Sequence, residues 1–308
     1  MYRKSFSSVG CTANRVRSKG NIMYVVAGAT GRVGSATARS LLAAGCEVRV
    51  LVRRHADAAH WAARGAETRV VALDDRAMLG EALAGSAGFF TLLPFDLAVE
   101  DLDAHADRLI DSIAGAVADQ HVPHVVMLSS GGADLAEGTG PITGLHRFEQ
   151  ALLASGATLT ALRSGHFQEK VADVLDVARS SGVYPVFAAS ADVPHSMVAT
   201  ADIGTLAAQA LRSRPADSES IDIVGPSYSE RAVAGLLGDA LGRELVVTPV
   251  PEDAWSGALV DAGFRPHIAV SLAELYRADE RGLLDPRGDR SVRVDTGLEM
   301  TIARLLAS

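Results

Sequence analysis

Six short apolar runs recur through the first half of the chain at roughly 25-residue intervals, a spacing that demands strand–helix–strand crossovers. They are residues 23–27, 47–52, 68–73, 88–93, 123–128 and 158–163. Between them Ala and Leu return every three or four residues over 32–44, 56–64, 77–84, 97–120 and 142–155, which is the period of an amphipathic helix. Strands joined by such crossovers pair in parallel, and a parallel sheet needs helices on both faces. The predicted fold class is therefore α/β, a doubly wound parallel sheet.

The first unit carries the most specific motif, YVVAGATGRVGSA at 24–36. Gly28 stands where the strand must turn sharply, a conformation most side chains resist. Gly31 stands where backbone can come close to a ligand, and Gly34 lets the following helix lie against the strand. That helix begins near Arg32 and directs its first amides and its positive dipole end over the turn, so a pyrophosphate is the fitting guest. Ala29, Thr30, Arg32 and Val33 complete the cradle. A strand before the glycines and a helix after them make this a dinucleotide-binding site of Rossmann type.

Cofactor choice turns on the end of the second strand. An NAD site places a carboxylate about 20 residues past the glycines to hold the ribose hydroxyls. Arg53 and Arg54 occupy that region here, and a guanidinium suits a 2′-phosphate that a carboxylate would repel. NADP(H) is favoured over NAD(H), with Arg32 as a possible second cation. The other reading of these arginines is a solvated surface. Thr91, Leu92, Leu93 and Pro94 close the fourth strand, where their backbone would flank the cofactor and Phe95 would line a substrate cavity. Ser129 and Ser130 end the fifth strand, either as ligand-facing groups or as a plain strand cap. Asp74 and Asp75 face different ways in a loop, which suits an adenine-side contact or simple solvation better than a carboxylate dyad.

The stretch AGATGRVGSATARSLLAAGCEVRVLVRR resembles the NmrA-like family of atypical short-chain dehydrogenases and reductases. So do LSSGGA at 128–133, LLASGATLTALRSGHFQE at 152–169 and VVTPVPEDAWSGALVDAG at 246–263. The resemblance spans roughly residues 23–308 and points toward its bacterial NADPH quinone oxidoreductases and triphenylmethane reductases. It implies that Gly165, His166 and Phe167, after the sixth strand, pass the nicotinamide. Phe167 then serves as pocket wall or as core.

Short-chain dehydrogenases that reduce carbonyls generally pair a Tyr acid with a Lys four residues on. The lysines here are Lys4, Lys19 and Lys170, and none follows a tyrosine at that spacing. Isoflavone-type relatives carry a catalytic Lys on the helix after the fifth strand, a position that falls on Leu145, with His146 beside it. The expected activity is hydride transfer to a quinone-like or other electron-poor acceptor without a Tyr–Lys acid. Proximity and orientation would do most of the work. His146 and Ser130 are the weak proton-donor candidates, and with Phe95 and Phe167 they make the expected substrate pocket. The alternative is a non-catalytic NADP(H)-binding redox sensor that acts through a protein partner.

Composition narrows the partners. A formal net charge of −8 offers no basic face for nucleic acid, and no apolar stretch is long enough for a membrane span. Cys11 and Cys46 form neither a disulfide framework nor a metal spacing, so no metal and a reducing cytoplasm are expected. The partner is a small-molecule electron acceptor, and an oligomer is possible. Residues 1–22, basic and serine-bearing with no acid, are expected to be a poorly ordered leader from an early start codon or a cloning remnant. The expected division is 23–170 for the dinucleotide domain and 171–308 for a smaller substrate lobe. In that lobe short strands are expected at 184–187, 195–199 and 220–224. Helices are expected at 201–213, 229–241, 252–262 and 270–279, with 285–308 packed back.

Overall fold

The first half of the chain alternates strand and helix without exception. β1 (Met23–Val26), α1 (Arg32–Ala43), β2 (Glu47–Val52), α2 (His55–Ala62) and β3 (Glu67–Val70) come first. Then follow α3 (Arg76–Leu83), β4 (Gly88–Leu92), α4 (Leu102–Asp119), β5 (His124–Ser130), α5 (Ile142–Ala154) and β6 (Thr158–Ser164). This computed structural model describes residues 22–96 and 98–307; the expected leader, Ile22 apart, lies outside the described residues.

The second half is less regular. β7 (His166–Phe167) runs into a 3-10 turn over Gln168–Val174, followed by α6 (Leu175–Ser181), β8 (Val183–Val186), β9 (Pro194–Val198) and α7 (Thr200–Arg212). β10 (Glu219–Val224), β11 (Ser227–Ser229), α8 (Glu230–Leu241) and β12 (Val246–Pro249) come next. α9 (Trp255–Asp261), α10 (Pro266–Glu280), β13 (Arg290–Arg293) and α11 (Leu298–Leu306) close the described chain.

The main sheet has eight strands in the order β13-β10-β6-β5-β4-β1-β2-β3, every neighbouring pair parallel. Its strands alternate between two cores. Val25, Phe89, Val125, Met127 and Leu159 point to one face, beneath α3, α4 and α5. Tyr24, Val26, Phe90, Val126 and Leu162 point to the other, beneath α1 and α7. Burial on both faces explains why these strands read as unbroken apolar runs. α1 and α7 cross closely, for a Cβ on Gly204 would lie 2.4 Å from Ala36 Cβ and 2.8 Å from Val33 O.

The sheet crosses the boundary expected at residue 170, because β10 and β13 extend it beyond β6. The remaining C-terminal elements build two small sheets, β11-β9-β7 and β12-β8, over a third core that includes Tyr184, Met197, Leu237 and Ile302. Some expected boundaries shift for local reasons. The helix expected from 97 begins at Leu102, because Asp101 Oδ1 accepts the Ala104 amide as a cap. The helix expected over 252–262 is a 3-10 turn and then α9, and α10 begins earlier than expected, with Pro266 in its first turn.

Candidate active site

β1 and β4 are neighbours, yet the chain leaves β1 toward β2 and β4 toward β5. The strand order therefore reverses between them, and the carboxyl ends of the strands leave a crevice there. The glycine turn sits at this point. Gly28 has φ +65°, and the Gly31 amide donates to Gly28 O at 2.9 Å. A Cβ on Gly34 would stand 2.4 Å from Gly28 O and 2.6 Å from Ala27 O, so that position admits no side chain without moving the turn. A Cβ on Gly31 would meet only Gly28 O, at 3.3 Å. The fold by itself therefore places a weaker demand for glycine there than at Gly34.

Gly31 is the N-cap of α1, with no side-chain cap and no acid in the first turn. The first amides of α1 are thus left to a guest, and an anion is the group they suit. Thr30 and Arg32 are exposed beside them, while Ala29 and Val33 are buried in the core and offer only backbone. Thr91 is fully buried, so it too offers only backbone to a guest. An uncapped helix and a bare turn fit a dinucleotide.

The two arginines after β2 differ. Arg54 is bound to Asp57 through Nε at 2.8 Å and Nη2 at 3.0 Å, an exposed pair in the first turn of α2. Arg53 is exposed as well. Asp75 caps α3, its Oδ1 accepting the Met78 amide, so it serves the fold.

A cavity of about 580 Å³ opens at the ends of β4, β5 and β6. Its apolar wall includes Leu92, Leu93, Phe95, Leu128, Leu145 and Phe167. Phe95 is 44% exposed and also borders a neighbouring cavity of about 480 Å³. Ser130, Gly165 and His166 line the larger cavity too. A Cβ on Gly165 would stand 3.0 Å from Ser196 O of β9, a tight contact with backbone. His146 is a correction to the expected pocket. It is absent from the lining, and its Nδ1 lies 2.9 Å from the Ala133 carbonyl, while its neighbour Leu145 faces the cavity.

The cavity floor holds a buried network. Glu149 on α5 accepts from Ser129 Oγ at 2.5 Å and binds Arg163 through Nη2 at 2.6 Å and Nε at 3.1 Å. The side chains are only 5% and 10% exposed. Burial works against the Arg163 charge, but hydrogen bonding and attraction to Glu149 prevail and hold its pKa above the usual value. Ser129 lines the cavity beside Ser130, but its hydroxyl is committed to the network.

Sequence reasoning missed the polar side of this cavity. His195 on β9, Asp279 at the end of α10, and Lys170 and Asp173 from the 3-10 turn all line it with His166. His166 Nε2 lies 2.9 Å from Asp279 Oδ2, and His195 Nδ1 lies 3.7 Å from Asp279 Oδ1. Burial would raise the Asp279 pKa, yet the contact with His166 and the charges of His195 and Lys170 outweigh it and hold the carboxyl below its usual range. Tyr276 also lines the cavity, but burial and then the charges of Asp173 and Glu230 push its phenol up. That is the reverse of an activated tyrosine acid. The His166, His195 and Asp279 ligand atoms all lie within 4.8 Å of one another, close enough to converge on one guest atom.

A model described as the NmrA-like family matches residues 20–303. This chain belongs to the NmrA-like family. Among NmrA-like relatives it is 27% identical over 255 residues to an NAD(P)H azoreductase of Xenophilus azovorans, spanning 82% of this chain and 86% of that one. The structure of Citrobacter sp. triphenylmethane reductase complexed with NADP(H) superposes with a TM-score of 0.75 at 21% identity, over 92% of this chain and 99% of that one. The NADPH-dependent quinone oxidoreductase of Escherichia coli complexed with NADPH gives 0.72 at 20% identity, over 92% and 100%. The shared fold is the doubly wound sheet described above. No helix among the described residues is long and apolar enough to cross a membrane.

Proposed function

We propose that this NmrA-like chain is an NADPH-dependent oxidoreductase that reduces a small, flat, electron-poor acceptor such as a quinone or a dye. The observation that carries the reading is the apolar cavity at the strand ends, beside a glycine turn whose helix amides are uncapped. The azoreductase and quinone oxidoreductase names among the relatives support the acceptor class.

The turn from Gly28 to Gly34, with Arg32, would hold the pyrophosphate, and Arg53 would meet the 2′-phosphate. The backbone of Thr91, Leu92 and Leu93 on one side and of Gly165, His166 and Phe167 on the other would bracket the nicotinamide, leaving the His166 side chain free of the cofactor. When bound, NADPH supplies hydride. Leu128, Leu145 and Phe167 exclude water and press a flat acceptor into place, which shortens the approach and removes the entropy of encounter. No Tyr–Lys pair assists, since no lysine follows a tyrosine at that spacing and burial with the Asp173 and Glu230 charges makes the Tyr276 phenol a weaker acid.

The test is NADPH oxidation screened against quinones, azo and triphenylmethane dyes and simple carbonyls, beside binding titrations with NADPH and NADH. Turnover of the conjugated acceptors over simple carbonyls supports the proposal. Tight NADPH binding with no turnover on any of them would overturn it in favour of a redox sensor.

A further inference from the structure

Asp279 is an expensive place for a charge. It lies in the last turn of α10, whose dipole end disfavours an anion, and its side chain is 20% exposed, so desolvation adds to the cost. Helix stability gives no reason for it. The compensation comes from outside the helix, from His166 on β7, His195 on β9 and Lys170 on the 3-10 turn. β7 and β9 run parallel with His166 opposite Met197, which sets His195, two residues earlier, on the Met197 side of its strand. Three separate segments thus converge on one half-buried carboxylate inside the cavity, and charge arranged in this way in a cleft points to a functional site.

Resting on the reductase reading above, we propose that His166 is the proton donor for acceptors whose reduction creates a basic anion, azo compounds foremost. Asp279, and behind it His195, are positioning residues. Hydride addition to one nitrogen of an N=N bond drives the π pair onto the other nitrogen, which is strongly basic. The His166 imidazolium, its Nε2 buried against Asp279, presents Nδ1 as the nitrogen that can hand over a proton. One N–H bond of the ring breaks as the second N–H bond of the hydrazine forms. The neutral ring then regains a proton from solvent at the cavity mouth. In sum one hydride and one proton are added, the azo bond is reduced to a hydrazine and NADPH is oxidised to NADP⁺. His195, Lys170, Asp173 and Tyr276 are titratable groups that line the same cavity.

A chemical contrast isolates this role. A cationic triphenylmethane dye accepts hydride at carbon and becomes neutral, so its reduction needs no proton. The experiment compares wild type and His166→Gln on an azo dye and on a cationic triphenylmethane dye, together with equilibrium titrations of NADPH and of the azo dye alone. The expected result is a fall of about hundredfold or more in the azo-to-triphenylmethane rate ratio, the usual size of a general-acid effect. NADPH and azo-dye affinities should change by less than about threefold. Asp279→Asn should lower the same ratio about tenfold, through kcat for the azo dye with its KM kept. A ratio unchanged in His166→Gln would overturn the proposal. So would loss of wild-type azo activity on chelation with recovery on added Zn²⁺, which would make the cluster a metal site. Wild type inactive on both dyes would instead overturn the reductase reading, and the proposal with it.

Discussion

Gly31 and Gly34 sit three residues apart in one turn, and alanine at each should fail in opposite ways. At Gly34 the new methyl meets Gly28 O at 2.4 Å, Gly28 C at 2.5 Å and Ala27 O at 2.6 Å. All three are backbone atoms that cannot swing aside. Overpacking of this kind costs about 1–3 kcal/mol, and a clash with backbone belongs at the upper end. At roughly 2–4 °C per kcal/mol in a large domain, Gly34→Ala should lower the melting temperature by about 6–12 °C. At Gly31 the methyl meets only Gly28 O, at 3.3 Å, and the backbone there has φ −92° and ψ 175°, open to any residue. A shift of a few tenths of an ångström is offset by the roughly 0.4–1 kcal/mol that alanine contributes by restricting the unfolded chain. Gly31→Ala should therefore melt within about 2 °C of wild type. It should still lose NADPH affinity, because the methyl stands where the pyrophosphate would accept the helix amides. Weakening one charge-assisted hydrogen bond costs about 1.5–3 kcal/mol, or roughly ten- to hundredfold in Kd. Thermal melts without cofactor and a fluorescence titration with NADPH measure both. Gly31→Ala with wild-type affinity would refute the placement of the pyrophosphate, as would equal melting losses in the two variants.

Three further outcomes follow from the same geometry. Arg53→Ala should weaken NADPH binding about ten- to hundredfold and leave NADH nearly unchanged, whereas Arg54→Ala, whose guanidinium is committed to Asp57, should shift neither; parallel titrations with the two cofactors decide. Glu149→Ala strands the Arg163 charge beneath the cavity and should cost about 3–5 kcal/mol by denaturant unfolding, and a loss below about 1 kcal/mol would show that water replaces the carboxylate. Buried His124, whose Nε2 lies 3.1 Å from Thr160 Oγ1, has its pKa lowered from 6.5 to about 4, chiefly by burial and then by the Arg214 charge. Its neutral ring contributes stability that is full above pH 6.5 and is lost as pH falls toward about 4, at about 1.4 kcal/mol per pH unit; His124→Gln should flatten that slope in pH-dependent melts.

The dinucleotide half was legible because its signals are local. Strands buried on both faces must be apolar throughout, and the turn of Gly28 and Gly34 needs residues without a Cβ, so both leave marks in adjacent positions. The polar half of the cavity left no such mark. His166, His195 and Asp279 come from a two-residue strand, a strand of the small sheet and the end of a helix, and only tertiary packing brings them together. His146 attracted notice because it neighbours Leu145, but consecutive helical residues face different ways, and its ring turns to the Ala133 carbonyl. β13 was illegible for a related reason: its sequence RSVR lies on an exposed sheet edge, where no alternation of buried and exposed side chains is imposed.

The most direct test of the account is a single-turnover reaction of the full chain preloaded with one equivalent of NADPH and mixed with an electron-poor dye. The account predicts that NADPH oxidation and dye bleaching proceed together, one for one, and that NADH in its place binds more weakly. NADPH that stays bound and reduced while quinones, azo dyes and triphenylmethane dyes are all left intact would contradict it.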